Sequence, residues 1–215
     1  MMDIFNNPSA LDRYLETHSS PEDGVLAELA RHTYLKVVHP RMLSGHVLGS
    51  FLQMFSRLVS PKRILEIGTF TGYSAICLAS GLREGGKLTT LETNEELRDT
   101  ALLFFRKAGL DDRIELINGD ALKILPSLKG PYDLLFIDAN KEDYSNYYHL
   151  AFDKMAPGSY ILVDNVLWGG KVLDPDMQDA STNAIREFNH LIKKDPRVQN
   201  LLLPVRDGLM IIQKI

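Results

Sequence analysis

The segment Ile64-Leu65-Glu66-Ile67-Gly68-Thr69-Phe70-Thr71-Gly72-Tyr73-Ser74 joins a short apolar strand to a turn between two glycines and then to the start of a helix. In a doubly wound α/β fold, such a strand–turn–helix unit brings backbone amides up to a cofactor. The glycine spacing is G-x-x-x-G, whereas the dinucleotide fingerprint is G-x-G-x-x-G. Phe70 stands where a pyrophosphate would need glycine, because a side chain there blocks close approach of the backbone. The turn therefore predicts a cofactor with an adenosine but no diphosphate.

An acidic residue at the end of the next apolar run supports this prediction. Glu92 closes the run Lys87–Leu91, twenty residues after Gly72. An acid at this place can hold both ribose hydroxyls of a nucleoside. Strand, turn, helix and acidic strand end together predict binding of S-adenosylmethionine.

Length and composition fit one globular domain. The chain has 215 residues, of which 45% are hydrophobic, and a net charge of −4, which suits a soluble domain with a full core. The single cysteine, Cys77, excludes an intramolecular disulfide and a thiolate metal cluster, and we interpret it as a core residue. No apolar run approaches the roughly 20 residues of a membrane span. Residues 1–7 lack the apolar core of a signal peptide, so we expect a cytoplasmic protein without a membrane partner.

Acidic residues are absent between Glu28 and Glu66, although basic residues are frequent there. The basic residues are Arg31, Lys36, Arg41, Arg57, Lys62 and Arg63. One interpretation is a basic face that acids elsewhere in the fold balance. The other is a patch that meets an anionic acceptor. The net charge itself does not indicate nucleic-acid binding.

From Arg63 onward, predicted strands and helices alternate. Strands are predicted over residues 63–67, 87–92, 113–118, 132–138 and 159–164, and helices over residues 73–82, 94–108, 120–128, 142–155 and 181–194. Continuous apolar runs such as Leu134–Ile137 are typical of strands covered on both faces. A turn at Arg206-Asp207-Gly208 joins the last two apolar runs in a hairpin. This order predicts an α/β fold with a doubly wound, mostly parallel, Rossmann-like sheet of the class I methyltransferase type and a C-terminal antiparallel hairpin.

The N-terminal part of the chain is predicted to be helical. Ser20-Pro21-Glu22-Asp23 has the features of a helix start, and Ser44 is predicted to cap a further helix. We therefore expect a single domain over residues 1–215, with a helical cap over residues 1–60 and a core that binds cofactor and metal over residues 61–215.

Two predicted strands that lie side by side finish in acids, in Phe136-Ile137-Asp138 and Leu162-Val163-Asp164-Asn165. Ligands of an open α/β sheet bind at the carboxyl ends of its strands. Asp138, Asp164 and Asn165 can therefore converge as oxygen ligands of a hard cation, Mg²⁺, Mn²⁺ or Ca²⁺. The alternative is that these acids only end strands and that Asp164-Asn165 makes a turn.

Lys141 follows Asp138 by three residues, at the start of the next predicted helix. Like charge from a nearby divalent cation favours the neutral form of an amine, which suits Lys141 to act as a general base. The alternative is a solvated lysine at a helix start.

Three motifs occur in the order typical of the cation-dependent O-methyltransferases, the group of catechol and caffeoyl-CoA O-methyltransferases, and the chain resembles that family. The motifs are Leu65–Ser74, Phe136-Ile137-Asp138-Ala139-Asn140-Lys141 and Asp164-Asn165-Val166-Leu167-Trp168. The tail from Asp195 through Gly208 is similar as well, so the resemblance covers residues 40–215. Val47-Leu48 replaces an acidic pair of the plant caffeoyl-CoA enzymes, which leaves the acceptor open.

The resemblance implies a role for each matching residue. The implied metal ligands are Asp138, Asp164 and Asn165, and the implied catalytic residues are Lys141, as general base, and Asp138. The implied cofactor-binding residues are Met42, Ser44, Glu66, Gly68, Thr69, Phe70, Ser74, Glu92, Asp120, Ala121 and Asp138. Trp168 and Lys141 are implied to contact the acceptor.

These roles imply transfer of a methyl group from S-adenosylmethionine to a hydroxyl of a small catechol-like acceptor, with a divalent cation, in a homodimer. One alternative has the same chemistry but another acceptor, 5-hydroxyuridine at the wobble position of tRNA. The basic stretch without acids would suit binding to RNA. A remote alternative is a non-enzymatic S-adenosylmethionine-binding protein, which would not need Lys141 beside a complete ligand set.

Overall fold

The computed structural model describes residues 8–215. The first seven residues, which include the start of the predicted cap and the segment predicted to lack a signal peptide, lie outside the described residues.

Seven strands form one sheet in the order β3-β2-β1-β4-β5-β7-β6. Their bounds are β1 Arg63–Ile67, β2 Lys87–Glu92, β3 Ile114–Asn118, β4 Tyr132–Ile137, β5 Met155–Asp164, β6 Val198–Leu203 and β7 Leu209–Lys214. Strands β1 to β5 pair in parallel, whereas β7 runs antiparallel to both β5 and β6. The predicted α/β fold with a C-terminal hairpin is therefore confirmed.

Eight α-helices accompany the sheet within the described residues. Their bounds are α1 Pro8–Thr17, α2 Gly24–Lys36, α3 Gly45–Val59, α4 Tyr73–Ala79, α5 Arg98–Lys107, α6 Ala121–Ile124, α7 Tyr144–Phe152 and α8 Ala180–Lys194. Between residues 8 and 215, no helix has both the length and the apolar character that a bilayer crossing requires.

Two hydrophobic clusters cover the two faces of the sheet. Leu134 and Phe136 of β4 belong to the cluster formed with α2, α3, α4 and α5, whereas Leu135 and Ile137 belong to the cluster formed with α6, α7 and α8. Successive side chains of a strand point to opposite faces. A strand between two helical layers therefore needs apolar residues at every position, which explains the continuous apolar run.

Several element boundaries differ from the prediction by a few residues, and two of these differences have a local structural reason. Helix α2 begins at Gly24 and not at Pro21, because the Asp23 carboxylate accepts a hydrogen bond of 2.9 Å from the Val25 amide and so caps the helix. Strand β5 begins at Met155, inside the predicted helix 142–155 and before the predicted strand start at residue 159. The register between β4 and β5 shifts after the Tyr132–Met155 pair, and this irregularity accommodates proline and glycine within the strand.

Gly68 brings the turn after β1 against the end of β4. Its φ is 99°, and a Cβ atom there would lie 2.1 Å from the Asp138 carbonyl oxygen. The Asp138 amide in turn donates a hydrogen bond of 2.9 Å to the Ile67 carbonyl. Only glycine permits this approach, and it places the turn Gly68–Gly72 beside the acidic end of β4.

Candidate active site

Two cavities of about 760 Å³ each lie at the carboxyl ends of the parallel strands. Cavity I contains Lys141, Asp164 and Trp168 in its wall. Cavity II contains Glu92 and Ala121. The cavities share part of their walls, formed by His39, Met42, Gly68, Phe70, Asp138, Ala139 and Asn140. The site is therefore one bipartite cleft.

Glu92 is held in place in cavity II by two backbone amides. Phe70 donates to Oε2 at 2.7 Å and Asn94 donates to Oε1 at 2.9 Å. A carboxylate has about four acceptor positions, so both oxygens keep capacity for ligand hydroxyls. Phe70 has a positive φ of 49°, and its phenyl ring stands where a dinucleotide turn has none.

Most of the predicted cofactor residues line one or both cavities: Met42, Ser44, Gly68, Thr69, Phe70, Ser74, Glu92, Ala121 and Asp138. Two do not. The Asp120 carboxylate accepts a hydrogen bond of 2.9 Å from the Leu122 amide and caps helix α6. Glu66 lies behind the turn. Their predicted contacts with a cofactor stay predictions.

Glu66 is fully buried beneath the turn Gly68–Gly72. Its Oε2 accepts a hydrogen bond of 2.5 Å from Thr90, whose hydroxyl lies 2.5 Å from that of Thr69. Burial raises the pKa of Glu66 to about 8, and the charges of Asp138 and Glu92 contribute in the same direction. Oε1 has no hydrogen-bond partner within the described residues. Glu66 thus supports the turn through a chain of hydroxyls.

Asp138 and Asp164 lie side by side because Ile137 of β4 pairs with Val163 of β5. Asp138 Oδ1 accepts a hydrogen bond of 2.8 Å from Lys141 Nζ. Asp164 is 2% exposed, and its Oδ1 has no partner among residues 8–215. Burial, followed by the charge of Asp138, raises the pKa of Asp164. A positive charge in addition to that of Lys141, placed near Asp138 and Asp164, would stabilise the ionised form of both carboxylates.

The three predicted metal ligands are two carboxylates and one amide. No group of three or more His, Cys, Asp or Glu side chains is arranged to hold a metal in the described part of the chain. The predicted set does not depend on such a group, since Asn165 supplies its third oxygen. The buried, unpartnered oxygen of Asp164 fits a hard cation, which prefers oxygen ligands.

The loop after β5 carries Asn165 and Trp168. Both have a positive φ, of 60° and 51° respectively, so the chain turns sharply after Asp164. The Tyr144 hydroxyl donates a hydrogen bond of 2.8 Å to the Asp164 carbonyl. Trp168, the single tryptophan of the chain, has the amines of Lys141 and Lys171 each 5.9 Å from its ring.

Some cavity residues were not identified by sequence analysis. His39, Tyr73, Ser181 and Arg206 line cavity I. The pair His39-Pro40 is typical of the end of a helix. His39 has a positive φ of 58° and is the first residue of a segment that lines both cavities. Arg206 reads as a hairpin-turn residue, and no sequence signal indicates where its side chain goes.

Comparison with known proteins gives the family. The O-methyltransferase family model matches residues 16–215. The chain belongs to this O-methyltransferase family. The resemblance and the enzyme class predicted from the sequence are thereby confirmed.

Three proteins are similar to this O-methyltransferase over 89% or more of their own length. The caffeoyl-CoA O-methyltransferase of Medicago sativa is 33% identical over 221 residues, covering 96% of this chain and 89% of that protein. The O-methyltransferase of Bacillus cereus, solved with SAH, is 33% identical with a TM-score of 0.90, over 98% of this chain and 100% of that one. TomG of Streptomyces achromogenes, involved in tomaymycin synthesis and solved with SAM, is 32% identical with a TM-score of 0.89, over 100% and 99%.

Proposed function

We propose that this O-methyltransferase transfers the methyl group of S-adenosylmethionine to one hydroxyl of a small aromatic vicinal diol, with the help of a divalent cation. The observation that carries the proposal is the meeting of Lys141, Asp138 and Asp164 in cavity I, beside a second cavity that contains Glu92. The Bacillus cereus and Streptomyces achromogenes proteins were solved with SAH and SAM. The Medicago sativa protein is a caffeoyl-CoA O-methyltransferase, which supports a phenolic acceptor.

The cofactor would span the bipartite cleft. Glu92 would accept hydrogen bonds from the ribose hydroxyls in cavity II, because both of its oxygens are oriented by backbone amides. Ala121 would lie along the adenine. Thr69 and Ser74 line cavity I and would hold the methionine end, which points the methyl group towards Asp138 and Lys141.

The cation would be held by Asp138, Asp164 and Asn165, and we favour Mg²⁺ over Mn²⁺ or Ca²⁺. When bound, it would lower the pKa of a chelated diol hydroxyl. The buried and unpartnered Asp164 Oδ1 supports this assignment, as does the raised pKa of that carboxyl.

Lys141 would take the proton of the acceptor hydroxyl at Nζ. Its side chain is 12% exposed, and a hydrogen bond of 2.8 Å from Nζ to Asp138 Oδ1, which the neutral amine can also donate, orients the amine. The centroids of the Tyr144 and Trp168 rings lie 5.1 Å and 5.9 Å from Nζ. The two rings limit the access of water to the amine. The acceptor oxygen then forms a bond to the methyl carbon as the carbon–sulfur bond breaks. Positioning and charge stabilisation supply most of the acceleration.

Replacement of Glu92 by alanine is expected to weaken binding of S-adenosylmethionine by about 1.5–3 kcal/mol, the range for hydrogen bonds to a charged group. Isothermal titration calorimetry measures the change. Glu95→Ala is the matched control, because Glu95 is exposed and lies outside both cavity walls. An unchanged affinity in Glu92→Ala would remove Glu92 from the cofactor site.

The tRNA alternative has one observation in its favour. Lys36 and Arg41 are exposed and line the cavities. Lys62 and Arg63, at the other end of the stretch without acids, lie at the opposite end of the strands from the cavities. The amides of Lys62 and Arg63 bind the Asp133 carboxylate, at 2.7 Å and 2.9 Å, at the amino end of the strands. The basic residues therefore do not form one continuous surface, which favours the small acceptor.

An acceptor panel decides between these functions. The enzyme is incubated with S-adenosylmethionine, Mg²⁺ and, in turn, catechols, caffeoyl-CoA and hypomodified tRNA. We expect methylation of a small diol and not of tRNA, and the variants Lys36→Glu and Arg41→Glu are assayed in parallel. If tRNA is the substrate, both variants lose activity and binding falls steeply with salt. Methylation of tRNA alone would replace the proposal with the alternative.

The predicted homodimer stays a proposal. It is supported by two exposed apolar residues on helix α3. Met54 is 71% exposed and Leu58 is 82% exposed. Apolar residues one helical turn apart form a continuous strip, which a second copy of the chain would cover. Sedimentation of Leu58→Asp against the wild type tests the assignment.

A further inference from the structure

The hairpin turn Arg206-Asp207-Gly208 holds the loop on the acceptor side of cavity I. The Asp207 carbonyl accepts a hydrogen bond of 2.9 Å from the Leu167 amide, and the Gly208 carbonyl accepts one of 3.1 Å from the Val166 amide. The Asp207 carboxylate also accepts from the Gly169 amide. A Cβ atom on Gly208 would lie 2.8 Å from the Leu167 nitrogen. These backbone contacts therefore join the turn to the loop between Asn165 and Gly169.

The same turn reaches the cofactor side through one side chain. The Arg206 guanidinium donates hydrogen bonds to the Leu43 carbonyl, at 3.3 Å, and to the Ser44 carbonyl. These carbonyls end the segment His39–Ser44, which lines cavity I throughout and cavity II at His39 and Met42. The two contacts join positions more than 160 residues apart in the chain.

The backbone of Arg206 gives no reason for an arginine at this place. Its φ is 48°, in the left-handed region that favours glycine. What arginine adds is the pair of side-chain contacts with the Leu43 and Ser44 carbonyls. Its planar fork can bind two successive carbonyls, whereas the single amine of lysine cannot reproduce that geometry.

We propose that Arg206 is a positioning residue that fastens the segment His39–Ser44 to the hairpin turn and, through that turn, to the loop that follows Asp164. The cofactor side of the cleft and the cation side then become ordered together. Affinity for the cofactor depends on the guanidinium, and occupation of one side increases affinity on the other. The inference rests on the proposed function for the identity of both ligands.

Calorimetric titration with S-adenosylhomocysteine, without cation or acceptor, tests the anchor. Arg206→Gly removes the guanidinium and puts at this position the residue that most readily adopts a left-handed backbone, so we expect the variant to fold, which a melting curve checks. We expect its Kd to rise about tenfold, as for the loss of a charge-assisted hydrogen bond. Arg206→Lys should recover part of the affinity. Wild-type affinity in a folded Arg206→Gly would overturn the proposal.

Arg113→Ala is the matched control. The Arg113 guanidinium also donates to backbone carbonyls, those of Leu82 at 3.0 Å, Arg83 at 2.7 Å and Gly86 at 3.5 Å, but Arg113 lies outside both cavity walls. We expect its Kd for S-adenosylhomocysteine to equal that of the wild type. An equal loss in Arg113→Ala would show a general effect on the fold and would overturn the specific role of Arg206.

A second titration, with MgCl₂ present, tests the coupling. We expect Mg²⁺ to increase wild-type affinity for S-adenosylhomocysteine about fivefold or more, within the usual range of coupling between sites, and to have no effect in Arg206→Gly. An equal Mg²⁺ effect in both proteins would overturn the coupling. If the wild type binds no Mg²⁺, the coupling fails together with the cation part of the proposed function. The first titration still decides the anchor by itself.

Discussion

Replacement of Lys141 by alanine is expected to lower kcat by about 10²–10⁴, the usual contribution of a positioned general acid or base. Lys141 is the amine that lines cavity I and is paired with Asp138. Its loss leaves the acceptor proton without a base, while the cofactor contacts in cavity II remain. Steady-state kinetics with saturating S-adenosylmethionine measure the change, and calorimetry with S-adenosylhomocysteine should show unchanged affinity. Higher pH should restore part of the rate, because more of the acceptor hydroxyl ionises unaided.

Lys171→Ala provides the matched control for this variant. Lys171 places its amine at the same 5.9 Å from the Trp168 ring as Lys141 does, but its carboxylate neighbour is Asp179, at 3.9 Å. We expect Lys171→Ala to retain the wild-type kcat. An equal loss in both variants would attribute the effect to the surroundings of Trp168 and not to proton transfer.

Removal of the cation is expected to have the other large effect. EDTA should stop turnover, and Mg²⁺ or Mn²⁺ should restore it. Asp164→Ala should lower kcat by about 10³, which corresponds to several kcal/mol of lost charge stabilisation. This variant should still bind S-adenosylhomocysteine, because the contacts proposed for Glu92 and Ala121 in cavity II are unchanged.

The control for Asp164 is Asp133→Ala. Asp133 lies at the amino end of β4 and accepts hydrogen bonds from the amides of Lys62 and Arg63. Its loss should reduce stability but leave the dependence on cation intact. Full activity in EDTA, or normal turnover by Asp164→Ala, would mean that these acids only end strands. The proposed mechanism would then be wrong, although the fold would stand.

The sheet and its acidic strand ends could be predicted because local sequence determines them. Continuous apolar runs mark strands that helices cover on both faces, and the Asp residues that follow β4 and β5 mark the edge where ligands bind. The order of the strands then places Asp138 beside Asp164 without further information.

The remaining differences come from contacts that are distant in the chain or from local irregularities. The early start of β5 depends on a register shift against β4, and proline and glycine at that place indicate a break. The start of α2 depends on which of several polar residues caps the helix, and Asp23 does so. The reach of Arg206 to Ser44 spans 162 residues, so no local pattern reports it.

The position of Trp168 makes the proposed acceptor half of the cleft, cavity I, observable by native fluorescence. The chain has one tryptophan, so emission excited at the indole band comes from cavity I alone. A candidate acceptor that enters the cavity changes the polarity around that indole whether or not it is methylated. Candidate phenols can thus be ranked by binding in the absence of turnover, with unmodified protein and no added probe.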